Sequence, residues 1–438
     1  MNPTDVPPAH TFNGLGIAPR LLSILETLGF EIPTPIQHQA IPPAIEGKDV
    51  IGVAQTGTGK TLAFGLPVLQ NIMAFRGRVL VVLPTRELAL QVDETLMKVG
   101  KSLGLRTAVL IGGMSMGPQI GALKRDPHII VATPGRLLDH MEQKLVNLNR
   151  ISILVLDEAD RMLDMGFWPQ VRRIITAVPK ERQTMLFSAT LSKEIMELIT
   201  GHMKLPVRIE VAPPGTTAER VTQEFFIVRK DEKIRLLEKV LADYAGATLV
   251  FSRTKHGAKK IMRGVRAMGH SAAEIHGNRS LNQRKEALEG FKTGRYRVLV
   301  ATDIASRGID VKGIELVINF DLPTESSDYV HRIGRTARAG AEGHAISFAE
   351  PAQKREMREI ERLIRKAVPV SALPELPPAR ALPHVSSDDR YERRGRPFHS
   401  SSHKRSPSSF GGARPFRRSG GSRPHHGGGH SRGHSKRV

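Results

Sequence analysis

Two short stretches hold residue types suited to phosphate chemistry. LVLDEADRML (154–163) sets Asp157, Glu158, Ala159 and Asp160 behind an apolar run. AQTGTGKT (54–61) places Thr56, Gly57, Thr58, Gly59, Lys60 and Thr61 in a glycine-rich turn. Gly57 and Gly59 let a backbone curl until its amides point at phosphate. Lys60 adds a cation for the outer phosphates, and the Thr61 hydroxyl suits magnesium. The usual form of this turn begins with glycine where this chain has Ala54, yet glycine still supplies the tight bend. At the end of a buried strand Asp157 can meet the same magnesium, commonly through water, while Glu158 orients or deprotonates a water. A capped helix start with surface acids would account for Asp160, but not for Asp157 and Glu158 behind ISILVL. Together the two stretches point to nucleoside-triphosphate hydrolysis.

Strands must carry these loops. DVIGVA (49–54), RVLVVLP (78–84), RTAVLIG (106–112), HIIVATP (128–134), ISILVLD (151–157) and QTMLFSA (183–189) read as buried strands, with helical patterns such as 85–104 between them. That alternation predicts a parallel sheet covered on both faces. VAPPGTTAE (211–219) reads as a linker. A second α/β pattern follows, with strands at ATLVFS (247–252), SAAEIHG (271–277), YRVLVAT (296–302), LVINFD (316–321) and HAISFAE (344–350), and a charged helix over 354–367. The expected organisation is a flexible N-terminus (1–11), a first domain (12–210), a linker (211–220), a second domain (221–366) and a disordered Arg/Gly/Ser/His-rich basic tail (367–438).

The chain has 438 residues and a formal net charge of +22, which favours a polyanionic partner, nucleic acid before membrane. Residues 371–438 carry 14 Lys/Arg against 4 Asp/Glu, so +12 remains on the first 370 residues. The absence of cysteine excludes disulfides, thiolate metal sites and cysteine nucleophiles. With no export pattern and no spanning apolar run, a cytoplasmic protein is expected. The tail's arginines and its scattered Phe398, Phe410 and Phe416 suit loose RNA tethering; HHGGGH fixes no set of metal ligands.

With these motifs in place the sequence resembles the DEAD-box ATP-dependent RNA helicases. GFEIPTPIQ (29–37) resembles the Q motif, with Phe12 as its upstream aromatic. PTRELA (84–89), Gly112–Gly113, TPGR (133–136), SAT (188–190), LVFSRTK (249–255), ATDIASRGID (301–310) and HRIGRTARAG (331–340) follow in family order. The resemblance covers about 12–366 and implies two tandem RecA-like domains with an ATP and Mg2+ cleft between them. VINFDLP (317–323), HRIGRTARAG and the short lead-in look most like the bacterial RhlE-type subgroup.

The resemblance also distributes roles. Gln37 would read the adenine edge, with Phe12 and Phe30 packing near the base or supporting the motif. Asp160, Ser188, Thr190, Asp303, Arg307 and His331 would couple nucleotide state to domain closure. Arg335 and Arg338 would reach the outer phosphate, and Asp310 the ribose or an arginine finger. Pro84, Thr85, Arg86, Gly113, Thr133 and Arg136 would face RNA from the first domain; Arg253, Arg284, Thr302 and Gly308 would do so from the second. Contacts of this kind go mostly to phosphate and sugar, which makes binding largely sequence-independent and salt-sensitive. ATP and RNA would close the domains, unwind short duplexes locally, and release on hydrolysis. Ribosomal RNA remodelling or RNA decay, at pre-ribosomal particles or a degradosome, is the implied setting, for a monomer or weak oligomer. A DNA-directed ATPase and a passive RNA chaperone or clamp are the rival readings. One departure stands out: the family glutamine three residues before Arg284 is Leu281 here.

Overall fold

The structure is a computed structural model of the chain and describes residues 11–54, 57–74, 77–211, 221–303, 311, 313–337 and 343–378. Thr56, Arg307, Gly308, Asp310 and Arg338 lie outside the described residues, as do most of the expected linker and the tail from 379.

The first sheet holds β1 (Val50–Val53), β2 (Arg78–Val82), β3 (Thr107–Leu110), β4 (Ile129–Ala132), β5 (Ile151–Asp157), β6 (Gln183–Ser188) and β7 (Val207–Glu210). Their order is β3-β4-β2-β5-β6-β1-β7, and each neighbouring pair is parallel. The second sheet holds β8 (Val221–Ile227), β9 (Thr248–Phe251), β10 (Ala272–Ile275), β11 (Val298–Ala301), β12 (Leu316–Asn319), β13 (Gly343–Ala349) and β14 (Val370–Ser371). Its order, β10-β11-β9-β12-β13-β8-β14, repeats the first position for position. Parallel strands need crossover connections, and the crossover helices cover both sheet faces, which is why the central strands are aliphatic throughout. Val79 and Val81 enter one core layer while Leu80 and Val82 enter the other, following the two-residue period of a strand. Leu249 and Phe251 divide from Val250 in the same way.

The helices that place functional residues start at strand C-terminal ends. In the first domain these are α3 (Lys60–Ala74) after β1, α4 (Arg86–Gly100) after β2, α5 (Met116–Lys124) after β3, α6 (Pro134–Glu142) after β4 and α7 (Ala159–Asp164) after β5. α1 (Pro19–Thr27) and α2 (Pro35–Ile45) precede them, and α8 (Trp168–Ala177) and α9 (Lys193–His202) complete the domain. The second domain uses α10 (Lys233–Asp243), α11 (Lys255–Ala267), α12 (Leu281–Lys292), α13 (Ser326–Ile333) and α14 (Lys354–Ile364). Lys233, at the start of α10, is 1% exposed, with Nζ 3.4 Å from Asp321 and 3.1 Å from Glu350.

Three strands, β7, β8 and β14, were not expected. β14 also moves a boundary. Residues 367–378 were expected in the tail, yet Val370 and Ser371 pair with β8, and Arg235 Nε donates to the Pro377 carbonyl at 2.6 Å. Backbone pairing, this guanidinium clamp, and the packing of Val368 and Leu376 into the second-domain core hold the segment on that domain.

Candidate nucleotide and nucleic-acid site

The glycine-rich turn joins β1 to α3. Lys60 is buried; its Nζ donates to the Ala54 carbonyl at 3.0 Å and lies 3.8 Å from Asp157 Oδ1. Gly59 has φ +91°, and a Cβ there would overlap the Gln37 amide, so only glycine suits this close approach. Gln37 is buried with both ends of its amide engaged: Oε1 accepts from Thr34 N at 2.9 Å, and Nε2 donates to the Gly59 carbonyl at 3.0 Å. The Q-motif glutamine thus ties the N-cap of α2 to the phosphate loop. Gly57 and Thr58 continue that loop, and Thr61 is partly exposed beside it on α3. Phe12 is buried in the first-domain core, whereas Phe30 is exposed.

β5 delivers Asp157 and Glu158 to the same edge, both buried. Burial raises the Asp157 carboxyl to about 6 against the opposing pull of Lys60, and Glu158 pushes it further in the same direction. Glu158 has left-handed backbone, φ 54° and ψ 52°, and its Oε2 has no hydrogen-bond partner among the described residues. A buried, unsatisfied carboxylate oxygen beside a buried Asp–Lys pair fits a charged, hydrated ligand. The donor set of Thr61 and Asp157 fits magnesium with phosphate oxygens and water completing its shell.

Asp160 turns toward the SAT segment. Its Oδ2 accepts from Ala189 N and Thr190 N, each at 3.0 Å, and from Thr190 Oγ1 at 3.3 Å. Its own amide donates to Ser188 Oγ at 3.1 Å. Asp160, Ser188 and Thr190 therefore form one hydrogen-bonded unit. Arg161 extends it across the cleft by an ion pair with Asp328 on α13. His331, on the same helix, is pushed down to about 3, by burial first and then by Arg161 and Arg335, with Asp160 and Asp328 opposing. It is a neutral imidazole whose Nδ1 has no hydrogen-bond partner among the described residues. Arg335 is buried one turn further on. Asp303 is clamped by Arg332, with Nε at 2.5 Å and Nη2 at 2.7 Å.

The expected RNA-facing residues divide into several small groups. A Cβ at Gly113, where φ is +76°, would overlap the Arg86 guanidinium, which lies against the Gly112–Gly113 backbone. Arg136 Nη1 donates to the Met114 carbonyl at 2.9 Å, joining the TPGR helix to that loop. Thr85 caps α4 by accepting from Leu88 N at 3.2 Å. Pro84 and Thr133 are buried at the ends of β2 and β4. In the second domain Arg253 Nη2 donates to the Leu322 carbonyl at 3.2 Å. Thr302 is partly exposed after β11. Arg284 is buried against Glu87 of the first domain at 2.9 Å, away from an open binding face.

Sequence reading missed the partners of these residues: Glu87, Arg161, Asp328 and Arg332. Each sits inside or beside a quoted motif, but a lone charge has no periodicity to mark its mate. It also missed Gln119, which donates to the Ile111 carbonyl at 3.1 Å and pairs with buried His140 at 3.2 Å, bracing the loop that carries Gly112–Gly113.

A phosphate loop and paired acids on one seven-stranded sheet, facing an arginine-bearing helix of a second, define a two-domain helicase core. Residues 34–198 match the DEAD/DEAH box helicase family and residues 232–340 the helicase conserved C-terminal domain. The chain is 40% identical over 406 residues to the ATP-dependent rRNA helicase RRP3 of Scheffersomyces stipitis, covering 91% of this chain and 84% of that protein. It is 43% identical over 359 residues to the DEAD-box ATP-dependent RNA helicase CshA of Bacillus cereus, covering 81% and 68%. Among solved structures it resembles S. cerevisiae Dbp5 bound to RNA and ADP BeF3, with TM-score 0.74 and 30% identity over 83% of this chain and 95% of that one. Mss116p bound to ssRNA and AMP-PNP follows at TM-score 0.75 and 28% identity, over 82% and 78%. The chain belongs to the DEAD-box helicase family.

Proposed function

We infer that this chain is an ATP-dependent RNA helicase that separates short RNA duplexes locally. One observation carries the reading. The acidic strand end joins the nucleotide loop to the second domain through one five-residue segment, 157–161: Asp157 beside Lys60, Asp160 in the SAT unit, and Arg161 paired with Asp328. A ligand at the loop and a ligand spanning both domains can therefore bias the same contact, which is what coupling two binding events requires.

In this reading Gln37, with Phe12 and Phe30 nearby, selects the nucleotide base. Thr56 to Lys60 cradle phosphates, and Asp310 meets the ribose or an arginine finger. Thr61 and Asp157 would hold Mg2+, which when bound supplies charge for phosphoryl transfer. Glu158 orients and deprotonates the attacking water. Arg335 and Arg338 stabilise charge on the outer phosphate. His331, Asp303 and Arg307 transmit closure. Arg86, Gly113, Arg136, Arg253, Thr302 and Gly308 contact the RNA backbone, with Pro84, Thr85 and Thr133 shaping that surface.

Ribosomal RNA remodelling is the favoured setting, supported by the similarity to RRP3, an ATP-dependent rRNA helicase, with RNA decay in a degradosome as the second. Motif detail supports an RhlE-type placement and hence the bacterial cytoplasm, with the chain acting as a monomer or weak oligomer. ATP hydrolysis should be measured without nucleic acid and with single-stranded RNA, duplex RNA or DNA, across a salt series. Stimulation by RNA alone supports the reading, and equal stimulation by DNA overturns it.

A further inference from the structure

Leu281 replaces the amide that the family resemblance leads one to expect, and its surroundings explain what took over. α12 opens with a capping box: Ser280 Oγ accepts from Gln283 N at 3.3 Å, and Gln283 Oε1 accepts from Ser280 N at 3.0 Å. The neighbouring glutamine is committed to that cap and does not substitute for the missing one. Leu281 and Arg284, three apart, leave the first turn on one face.

That face meets the first domain. Leu281 is 7% exposed and belongs to the core cluster that includes Leu88 of α4; the other members come from residues 12–211. Arg284 reaches Glu87, the residue before Leu88, but the charge pair is poorly directed. Although their closest N–O approach is 2.9 Å, both Glu87 oxygens and Arg284 Nε lack a hydrogen-bond partner among the described residues. A buried ion pair without good hydrogen bonds recovers little beyond its desolvation cost. Apolar contact at Leu281 carries no such penalty and is not screened by salt.

We propose that Leu281 is an interdomain positioning residue: its side chain docks α12 on α4 and sets how readily RNA holds the two domains together. The inference rests on the helicase reading. Full-length wild type, L281A and L281M are compared by the RNA concentration giving half-maximal ATP turnover, and by energy transfer between fluorophores on the two sheet domains. L281A should raise the RNA requirement about tenfold, equivalent to about 1.4 kcal/mol. Maximal turnover at saturating RNA and ATP affinity without RNA should stay within twofold of wild type. L281M should restore the wild-type RNA requirement. An unchanged RNA requirement in L281A overturns the inference, as does an equal loss of RNA-free ATP affinity, which would mark a general folding defect. If RNA fails to stimulate wild-type turnover, the helicase reading falls. Energy transfer then still decides the contact: equal transfer in wild type and L281A overturns it, and a drop that L281M reverses supports it.

Discussion

Lys60 and Lys233 occupy the same place in two sheets of one strand order. Each begins the helix that follows its domain's first strand, and each pairs with an aspartate at or just beyond the end of the fifth: Asp157 at 3.8 Å and Asp321 at 3.4 Å. The environments differ. Lys60 follows a glycine-rich turn, and its partner Asp157 stands beside a Glu158 oxygen that has no hydrogen-bond partner among the described residues. Lys233 follows RKDE, without glycine, and a second carboxylate, Glu350, closes over it. Among the described residues Lys60 meets one carboxylate and Lys233 meets two. The shared topology positions both, so the fold alone does not make a nucleotide site. The loop chemistry does.

The sharpest way to break this comparison is at the acids. Glu158→Gln should lower RNA-stimulated ATP turnover by about 10²- to 10⁴-fold, the usual worth of a positioned general base, while nucleotide binding persists. Steady-state turnover and nucleotide titration measure the two separately. Lys233→Met should do the reverse. Leaving Asp321 and Glu350 without their cation should cost about 3 kcal/mol of second-domain stability, at the low end for a broken buried pair because both carboxylates keep some hydration. Denaturant unfolding reads this loss, and nucleotide affinity of the first domain should not move.

Arg161 and Asp328 join the two halves, so they sharpen the comparison from the cleft side. Arg161→Ala should weaken the mutual enhancement of ATP and RNA binding by about 2 kcal/mol, within the usual range of coupling energies. Asp328→Asn should be less than additive with it in a double-mutant cycle.

A smaller effect follows from His331. Its folded value lies near 3, below the ordinary 6.5, so between those values the unfolded chain binds the extra proton. The stability it contributes is complete above about pH 6.5 and is lost as pH falls toward 3. One unit below 6.5 the loss is about 1.4 kcal/mol. Melting curves from pH 7.5 to 5.5 should show this slope, and His331→Gln should flatten it.

Both domains were legible where burial was two-sided, as in ISILVLD and YRVLVAT, because aliphatic runs have few other uses. β8 escaped because VTQEFFI breaks its run with Gln223 and Glu224. Both meet partners far along the chain: Tyr329 Oη donates to Gln223 at 3.0 Å, and Glu224 meets His344 at 2.8 Å. β7 and β14 are short edge strands, where polar residues are tolerated. The glycine-rich turn and the acidic strand end were legible because each is a contiguous motif, and the structure brings Lys60 and Asp157 together. The engaged Gln37 amide, the Arg161–Asp328 pair and the Glu87–Arg284 junction were not, since each depends on residues brought together only by the fold.

Glu158 sits in left-handed backbone, a conformation that costs a residue with a Cβ about 1–2 kcal/mol. Glycine is the residue that folding prefers there. Glu158→Gly should therefore raise the melting temperature by a few degrees while it removes the carboxylate, so if Glu158 acts as proposed, selection for stability and selection for hydrolysis pull this codon in opposite directions. In a duplicated copy of the gene released from the need to turn over ATP, glycine or asparagine at 158 is the drift that folding rewards. The residue found there would then tell a working motor from a retired one.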